Sequence, residues 1–336
     1  MAVISGQDAK VQIILEDNWG TYKEMDANAM VVDLNSESIN WVPEMVEEDV
    51  LVGAKTSRRM DIVAVSGSGD LAMIMKPADG AAGAGSLLIA CALGSEPSSP
   101  VESPSDVWTH TFEPIAGGIT TSLPSISVAI DRKADTHAYC GCEVGQMVLE
   151  AAAKDYLRGT FSLVAKTEES NKEIHGTPAY NDRIPFMFQN GSLSIAGGGT
   201  YSDAITGFTF TYSNNIEEPQ QTMGSGLYMI KPEVQKRDIT ISMDTLFDVD
   251  LNTFRETYFK TGATVAVALT FTSTENVSGT SKYKMTITLP KVIITSANPN
   301  VGGPDRITMT IEGRALEGAL EACTIELVDG RTTKYI

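Results

Sequence analysis

Hydrophobic and polar residues alternate one for one along much of this 336-residue chain. The run Ile205-Thr206-Gly207-Phe208-Thr209-Phe210-Thr211-Tyr212 is the clearest case. A period of two means a strand with one buried and one polar face. After a polar, Gly- and Pro-containing excursion, the pattern returns in Lys236-Arg237-Asp238-Ile239-Thr240-Ile241-Ser242-Met243. The same order occurs earlier. A strand from Met30 ends at Ser36-Glu37-Ser38-Ile39, an acidic excursion spans residues 40–57, and Arg58-Arg59-Met60-Asp61-Ile62-Val63-Ala64-Val65 comes back as a basic, then apolar strand.

Such a recurrence reads as a tandem duplication. Ile216 follows Ile39 by 177 positions (216 − 39) and Arg237 follows Arg59 by 178 (237 − 59). Trp108–Pro114 is matched with residues 284–290, their prolines 176 apart (290 − 114), and Ile126 with Ile307, 181 apart (307 − 126).

The remaining pattern predicts strands over residues 11–16, 107–113, 124–131, 138–149 and 156–165 in the first part. In the second, strands are expected over 264–272, 283–289, 292–295, 306–312 and 324–328. Residues 58–65 and 69–75 read as two strands or one bent strand. Two helices interrupt this. Ser86-Leu87-Leu88-Ile89-Ala90-Cys91-Ala92-Leu93-Gly94 reads as a short buried helix with Ser86 as N-cap and Gly94 as C-cap. Over residues 248–262, Leu251, Phe254, Tyr258 and Phe259 share one helical face, with acidic residues at the start and Lys260 near the end. The expected architecture is mainly β: two tandem β-sandwich or barrel domains, each with one short flanking α-helix. Their bounds are residues 1–165 and 184–336, with the polar, poorly patterned stretch 166–183 as linker.

Length agrees, since 336 residues exceed one ordinary core. No apolar run approaches the ~20 residues of a membrane-spanning helix, and the first ten residues lack the basic-then-apolar order of a secretory signal. A cytoplasmic site of synthesis with four reduced cysteines is therefore expected. The formal net charge of −18 argues against a cationic nucleic-acid surface. It suits a wall that DNA must pass without sticking.

Candidate chemistry is sparse. Gly80-Ala81-Ala82-Gly83-Ala84-Gly85 before an apolar helix lacks the Lys-Ser/Thr pair that a phosphate loop needs. His137, Cys140 and Cys142 form the best metal candidate, because Cys140 and Cys142 would share one face of a strand. A structural zinc site wants a fourth ligand nearby, and buried reduced thiols are the commoner arrangement. No Gly-x-Ser-x-Gly elbow surrounds any serine. The carboxylate pairs Glu47/Glu48 and Glu217/Glu218 are adjacent, so on a strand they point to opposite faces. The reading is non-enzymatic, without cofactor or metal.

Several places taken together resemble the tail tube (major tail) proteins of long-tailed bacteriophages. They are Ser36-Glu37-Ser38-Ile39-Asn40, Ser122-Leu123-Pro124-Ser125-Ile126-Ser127-Val128 and Phe186-Met187-Phe188-Gln189-Asn190-Gly191-Ser192-Leu193, with Thr211-Tyr212-Ser213-Asn214-Asn215-Ile216-Glu217 and Asp305-Arg306-Ile307-Thr308-Met309-Thr310-Ile311. The resemblance covers nearly the whole chain through β patterning. It implies a β-sandwich with a flanking helix, rings of six domains stacked into a tube, and passage of viral DNA without sequence-specific binding. It also implies a place in the virion tail, with the tape measure, terminator and tip proteins as neighbours. The duplication departs from the usual single domain, and three copies would then complete a pseudo-sixfold ring.

The excursions over residues 40–57 and 217–235 are the expected arms that grip the next ring, because long unpatterned loops are usually functional or disordered. Glu44, Glu47, Glu48, Asp49, Glu217 and Glu218 are the expected acidic residues at the ring contact or lumen. A capsid-decoration or tail-fibre protein is the alternative. A carbohydrate-binding module fits less well, since the three tryptophans are spread along the first half.

Overall fold

The computed structural model describes residues 5–50, 56–78, 83–116, 122–195, 199–200, 202–318 and 321–336. The first part of the chain gives β1 (Lys10–Leu15), β2 (Met30–Val32), β3 (Leu34–Glu37), β4 (Asn40–Glu47) and the long β5 (Met60–Ile74). Helix α1 (Ala84–Leu93) follows, then β6 (Gly94–Ser95), β7 (Val101–Glu102), β8 (Trp108–Pro114), β9 (Ile126–Asp131), β10 (Thr136–Ala152), β11 (Arg158–Ala165) and β12 (Thr167–Glu169). The second part gives β13 (Gly191–Ile195), β14 (Gly199–Thr200), β15 (Ile205–Ser213) and β16 (Asp238–Leu246). Helix α2 (Val249–Phe254) runs into a π turn (Arg255–Phe259), and β17 (Val265–Ser278), β18 (Ser281–Ala297), β19 (Thr308–Ala315) and β20 (Thr324–Asp329) complete the order. The fold is mainly β, as expected.

Both helices have local causes. Asp248 caps α2, its carboxylate accepting from the Leu251 amide at 2.8 Å, and Leu251 and Phe254 are buried beneath. Helix α1 is apolar on all sides and buried on nearly all of them. It ends at Gly94, whose φ of +85° suits the left-handed cap. Its start differs from the expectation. Gly83, not Ser86, precedes the first turn, and Ser86 lies buried inside the helix. Of the glycine-rich run before it, residues 80–82 lie outside the described residues.

Every ladder between the named strands is antiparallel, and one pairing order occurs twice. In the first part, β2–β1–β9–β10–β12 form one sheet, and β3 with β4 continues through β5 and β11 to β10. In the second part the orders are β14–β13–β17–β18–β20 and β15–β16–β19–β18. Strands β10 and β18, each of 17 residues, belong to two sheets at once. Bulges let such strands bend from one sheet into the other.

The correspondence extends to single residues. Val144↔Leu163 and Gln146↔Ser162 flank a register shift in β10, and Ile294↔Gly313 and Ser296↔Glu312 flank one in β18. All four positions differ by 150 (294 − 144, 313 − 163, 296 − 146, 312 − 162). The shift between Leu34 and Ser36 in β3 recurs between Ile205 and Gly207 in β15, 171 positions later (205 − 34, 207 − 36). Their partners on β5 and β16 differ by 172 (245 − 73, 244 − 72).

Those offsets correct the landmarks read from sequence. Ile39 corresponds to Phe210 rather than Ile216, and Arg237 to Val65 rather than Arg59. Strand β8 pairs with β20 and is not the counterpart of β18, while β9 holds the place of β17 rather than β19. Alternation carries no register of its own, so one β segment lies over another with several equally good shifts.

The two parts share one core, which includes Leu149 and Phe161 with Phe210, Ile241 and Met243. The β10–β15 ladder crosses between them over seven residue pairs, from Gln146↔Ser213 to Ala152↔Gly207. Strands β8 and β20 make a second crossing. Residues 166–183, expected as a polar linker, begin with β12 against β10. They run on along the first part, where the His175 amide donates to Gln12 Oε1 at 2.7 Å and Asn181 Nδ2 to the Pro77 carbonyl at 2.8 Å.

Candidate functional site

Among the described residues, the series β3/β4–β5–β11–β10–β15–β16–β19–β18 leaves two open margins, one along β3 with β4 and one along β18 beyond Val292, where its pairing with β17 ends. At one margin lies β3 with β4. The Ser38 amide donates to the Asp70 carbonyl of the neighbouring chain segment, so by alternation Ile39 and Trp41 turn their backbone groups outward. Outward groups of Ile39 are already held: its amide donates to Glu37 Oε2 at 3.1 Å, and its carbonyl accepts from Arg132 Nη2 at 3.0 Å and the Tyr139 hydroxyl at 3.1 Å. Arg132 in turn grips Glu37 through two nitrogens, at 3.1 and 2.9 Å. At the other margin, Arg255 Nε donates to the Ala297 carbonyl at 2.9 Å.

Beyond Trp41, β4 and β5 project as a hairpin, the arm form of the excursion over 40–57. Its flanks pair from Val42↔Ser66 to Glu47↔Met60. Met45, Val46 and Met60 are each more than half exposed, and Trp41, Val42, Ile62 and Val63 are exposed too. Apolar residues of this size in a strand normally face a core. Here no core lies beneath them, and exposed apolar patches of this kind mark contact surfaces.

Residues 217–235 lie across the base of that hairpin. The Val65 amide donates to the Leu227 carbonyl at 2.9 Å, and Gln221 Nε2 reaches the Val63 carbonyl at 3.3 Å. Glu44, Ala64, Pro219 and Gln221 line a shared cleft. Fold and chain order thus bring the two excursions together. This second excursion adds its own exposed apolar residues, Met223, Leu227, Tyr228 and Ile230.

All six acidic candidates sit on these excursions. Glu44, Glu47, Glu48, Asp49 and Glu218 are exposed, and Glu217 is half-buried. The Glu48 amide donates to the Arg59 carbonyl at 3.0 Å and the Glu217 amide to the Glu233 carbonyl at 3.0 Å. Glu217 Oε1 accepts from Gln220. Their side chains do not converge on one catalytic point; they decorate the rim of the apolar arm.

The metal candidate separates. Gly141 has a φ of +64°, and the β9–β10 register shifts between Tyr139 and Cys142, so the strand is bulged between the two cysteines. Cys142 packs in the main core, whereas Cys140 Sγ lies near the Gly20 carbonyl and Glu169. Burial pushes the Cys140 thiol up to about 12, helped by Glu16 and Glu169. His137 Nδ1 lies 3.0 Å from Glu168. Among the described residues no cluster of three or more His, Cys, Asp or Glu side chains is placed to hold a metal.

Sequence reasoning missed the residues that knit the seam between β10 and β15. Asn214 has no exposed surface; its amide donates to the Gly145 carbonyl, and its Nδ2 to the carbonyls of Ala92 and Val144 at 2.8 and 3.0 Å. Lys231 Nζ reaches the Leu123 carbonyl at 2.9 Å and Arg237 the Ile115 carbonyl at 2.6 Å. Strand β4 was missed as well: Asn40-Trp41-Val42-Pro43-Glu44-Met45-Val46-Glu47 holds adjacent apolar pairs rather than a period of two, and only its Trp and Val content and a proline compatible with an edge strand point to it.

A family model described as phage tail tube protein matches residues 6–315. The chain belongs to the phage tail tube protein family. Membership makes it a structural component of the phage tail. No curated protein matches this tail tube sequence. Among the described residues, no helix is long and apolar enough to cross a membrane.

Proposed function

We propose that this tail tube protein is a double subunit, three copies of which close into a ring, and that the rings stack into the hollow tube through which viral DNA passes. The carrying observation is the pairing order that occurs twice with the same two bulges. In this reading residues 1–165 and 184–336 are two tube domains, joined by 166–183, and threefold closure yields six related units. A heterologous contact that closes gives a ring, and one that does not close along the axis gives a filament.

The hairpin of β4 and β5 and the excursion over 217–235 make the axial contact. Their apolar residues bury against the adjoining ring, and Glu44, Glu47, Glu48, Asp49, Glu217 and Glu218 set its charge. The net charge of −18 keeps the DNA mobile in the bore without sequence-specific binding. Assembly takes place in the host bacterial cytoplasm, with the tape measure, terminator and tip proteins as further partners. Negative-stain microscopy across a concentration series, with mass measurement of isolated rings, tests the reading. Hollow rods built from three-copy rings are expected. Six copies per ring, or discrete particles at every concentration even with the tape measure and tip proteins present, would overturn it.

A further inference from the structure

We infer that the two open sheet margins are the halves of one strand-pairing seam: Asn40–Val42 of one copy pairs antiparallel with Ser296–Asn298 of the next. The inference rests on the ring reading and adds to it the contact, its register and its ends.

The seam already exists once inside the chain. There β10, at the end of the first set of strands, pairs with β15, at the start of the second. The counterpart of β10 is β18, and the counterpart of β15 is β3 with β4, at the offsets of 150 and 171 established above. Carrying the internal register across gives its external equivalent. Gln146↔Ser213 becomes Ser296↔Val42 (146 + 150, 213 − 171), Met147↔Tyr212 becomes Ala297↔Trp41, and Val148↔Thr211 becomes Asn298↔Asn40.

Hydrogen-bonding phase agrees at both margins. Inside the chain the Asn214 amide donates to the Gly145 carbonyl, so Met147↔Tyr212 is a hydrogen-bonded pair by alternation. Its equivalent joins Ala297 to Trp41. Trp41 turns its backbone outward by the independent evidence of the Ser38–Asp70 bond. The Arg255 contact to the Ala297 carbonyl occupies one of two lone pairs and leaves the other for a strand amide.

The ends of the seam are matched as well. The next hydrogen-bonded position would set Ile39 against Pro299, a residue with no amide to donate. The Ile39 carbonyl needs none, because Arg132 and Tyr139 already satisfy it. On the other side Pro43 would face Thr295, again without an amide. Prolines therefore stop the ladder after three pairs, against seven in the internal seam.

Non-hydrogen-bonded antiparallel pairs bring Cα atoms to about 4.5 Å, within disulfide reach. The test uses the full-length protein with Val42→Cys and Ser296→Cys, or Asn40→Cys and Asn298→Cys, under mild oxidation. The four native cysteines are buried and contribute little background. Both in-register pairs should give dimers and a closed trimer on denaturing gels, at least about tenfold more than the off-register pair Val42→Cys with Asn298→Cys. Single variants should cross-link only when mixed with their complement. Cross-linking of a single variant with itself would show symmetric pairing and overturn the inference. Rings visible by microscopy without in-register cross-links would overturn the seam and leave the ring reading standing. Absence of rings in the unsubstituted protein at every concentration, with the partner proteins added, would overturn both.

Discussion

His110 Nδ1 lies 2.8 Å from Glu96 Oε1, and neither side chain has any exposed surface. The other ring nitrogen lies 3.2 Å from Asp329 on β20. Burial disfavours the imidazolium, but its hydrogen bonds to the Asp329 and Glu96 carboxylates outweigh it and lift His110 to about 9. Removing the ring leaves two buried carboxylates without their cation. His110→Leu should therefore destabilise the fold by about 3–5 kcal/mol. In the unsubstituted protein the contribution is whole below about pH 6.5 and disappears as pH rises through about 9. Urea unfolding at pH 6, 7.5 and 9.5 measures both, and a pH-independent midpoint across that range would contradict the assignment.

Glu143 gives a pH dependence of the same sign from the opposite charge preference, because it is its neutral form that the fold favours. Its Oε1 is 3.3 Å from Lys231 Nζ in an unexposed position. Burial pushes its carboxyl up to about 7, with Lys231 pulling the other way. A carboxyl that prefers its proton when folded supports stability below about pH 4.5, and that support is lost as pH rises through about 7. Glu143→Gln should raise the unfolding midpoint at pH 8, by on the order of 1–3 kcal/mol, and leave it unchanged near pH 4.5. Equal effects at the two pH values would show that packing, not ionisation, sets the cost.

Gly69 interrupts β5 with a φ of +153°, and an added Cβ would run into the backbone of Ser38 and Ile39. That backbone cannot give way without moving β3 and β4. Gly69→Ala should cost more than about 2 kcal/mol, because both conformation and space exclude it. Gly176→Ala is the comparison; its Cβ would meet nothing within 4 Å. Thermal unfolding of the two variants separates steric exclusion from the left-handed backbone alone.

Met45 and Val46 stand exposed on the hairpin. Changing both to Glu should leave the isolated chain within about 0.5 kcal/mol of its original stability, as surface substitutions usually do. Sedimentation should show that long assemblies are lost while chemical denaturation is unaltered. Unimpaired assembly would remove the hairpin from the axial contact.

The strands were legible because their alternation is strong: Ile205–Ser213, Asp238–Leu246 and Thr324–Asp329 lie where the pattern places them. Helix α2 was equally legible from Asp248 and the Leu251/Phe254 face. Register was not. The bulges after Val144 and Ile294 depend on how two distant strands meet; Gly145 is a local hint of the first, but Thr295 announces nothing. The acidic candidates were found by charge, yet the arm they decorate is defined by exposed Met45, Val46 and Met60, which a pattern reading takes for core. Seam residues such as Asn214 were invisible because their partners lie 70 and 122 positions away.

One consequence of the β8–β20 pairing concerns time. Ile325 pairs with Phe112, 213 positions earlier (325 − 112). At the ~5–20 residues per second of synthesis, β8 waits about 10–40 s for its partner. Throughout that interval the early strands exist without the late strand that completes their neighbourhood. A truncated or stalled chain thus never finishes the fold, and translation itself withholds the finished shape until the last strand emerges.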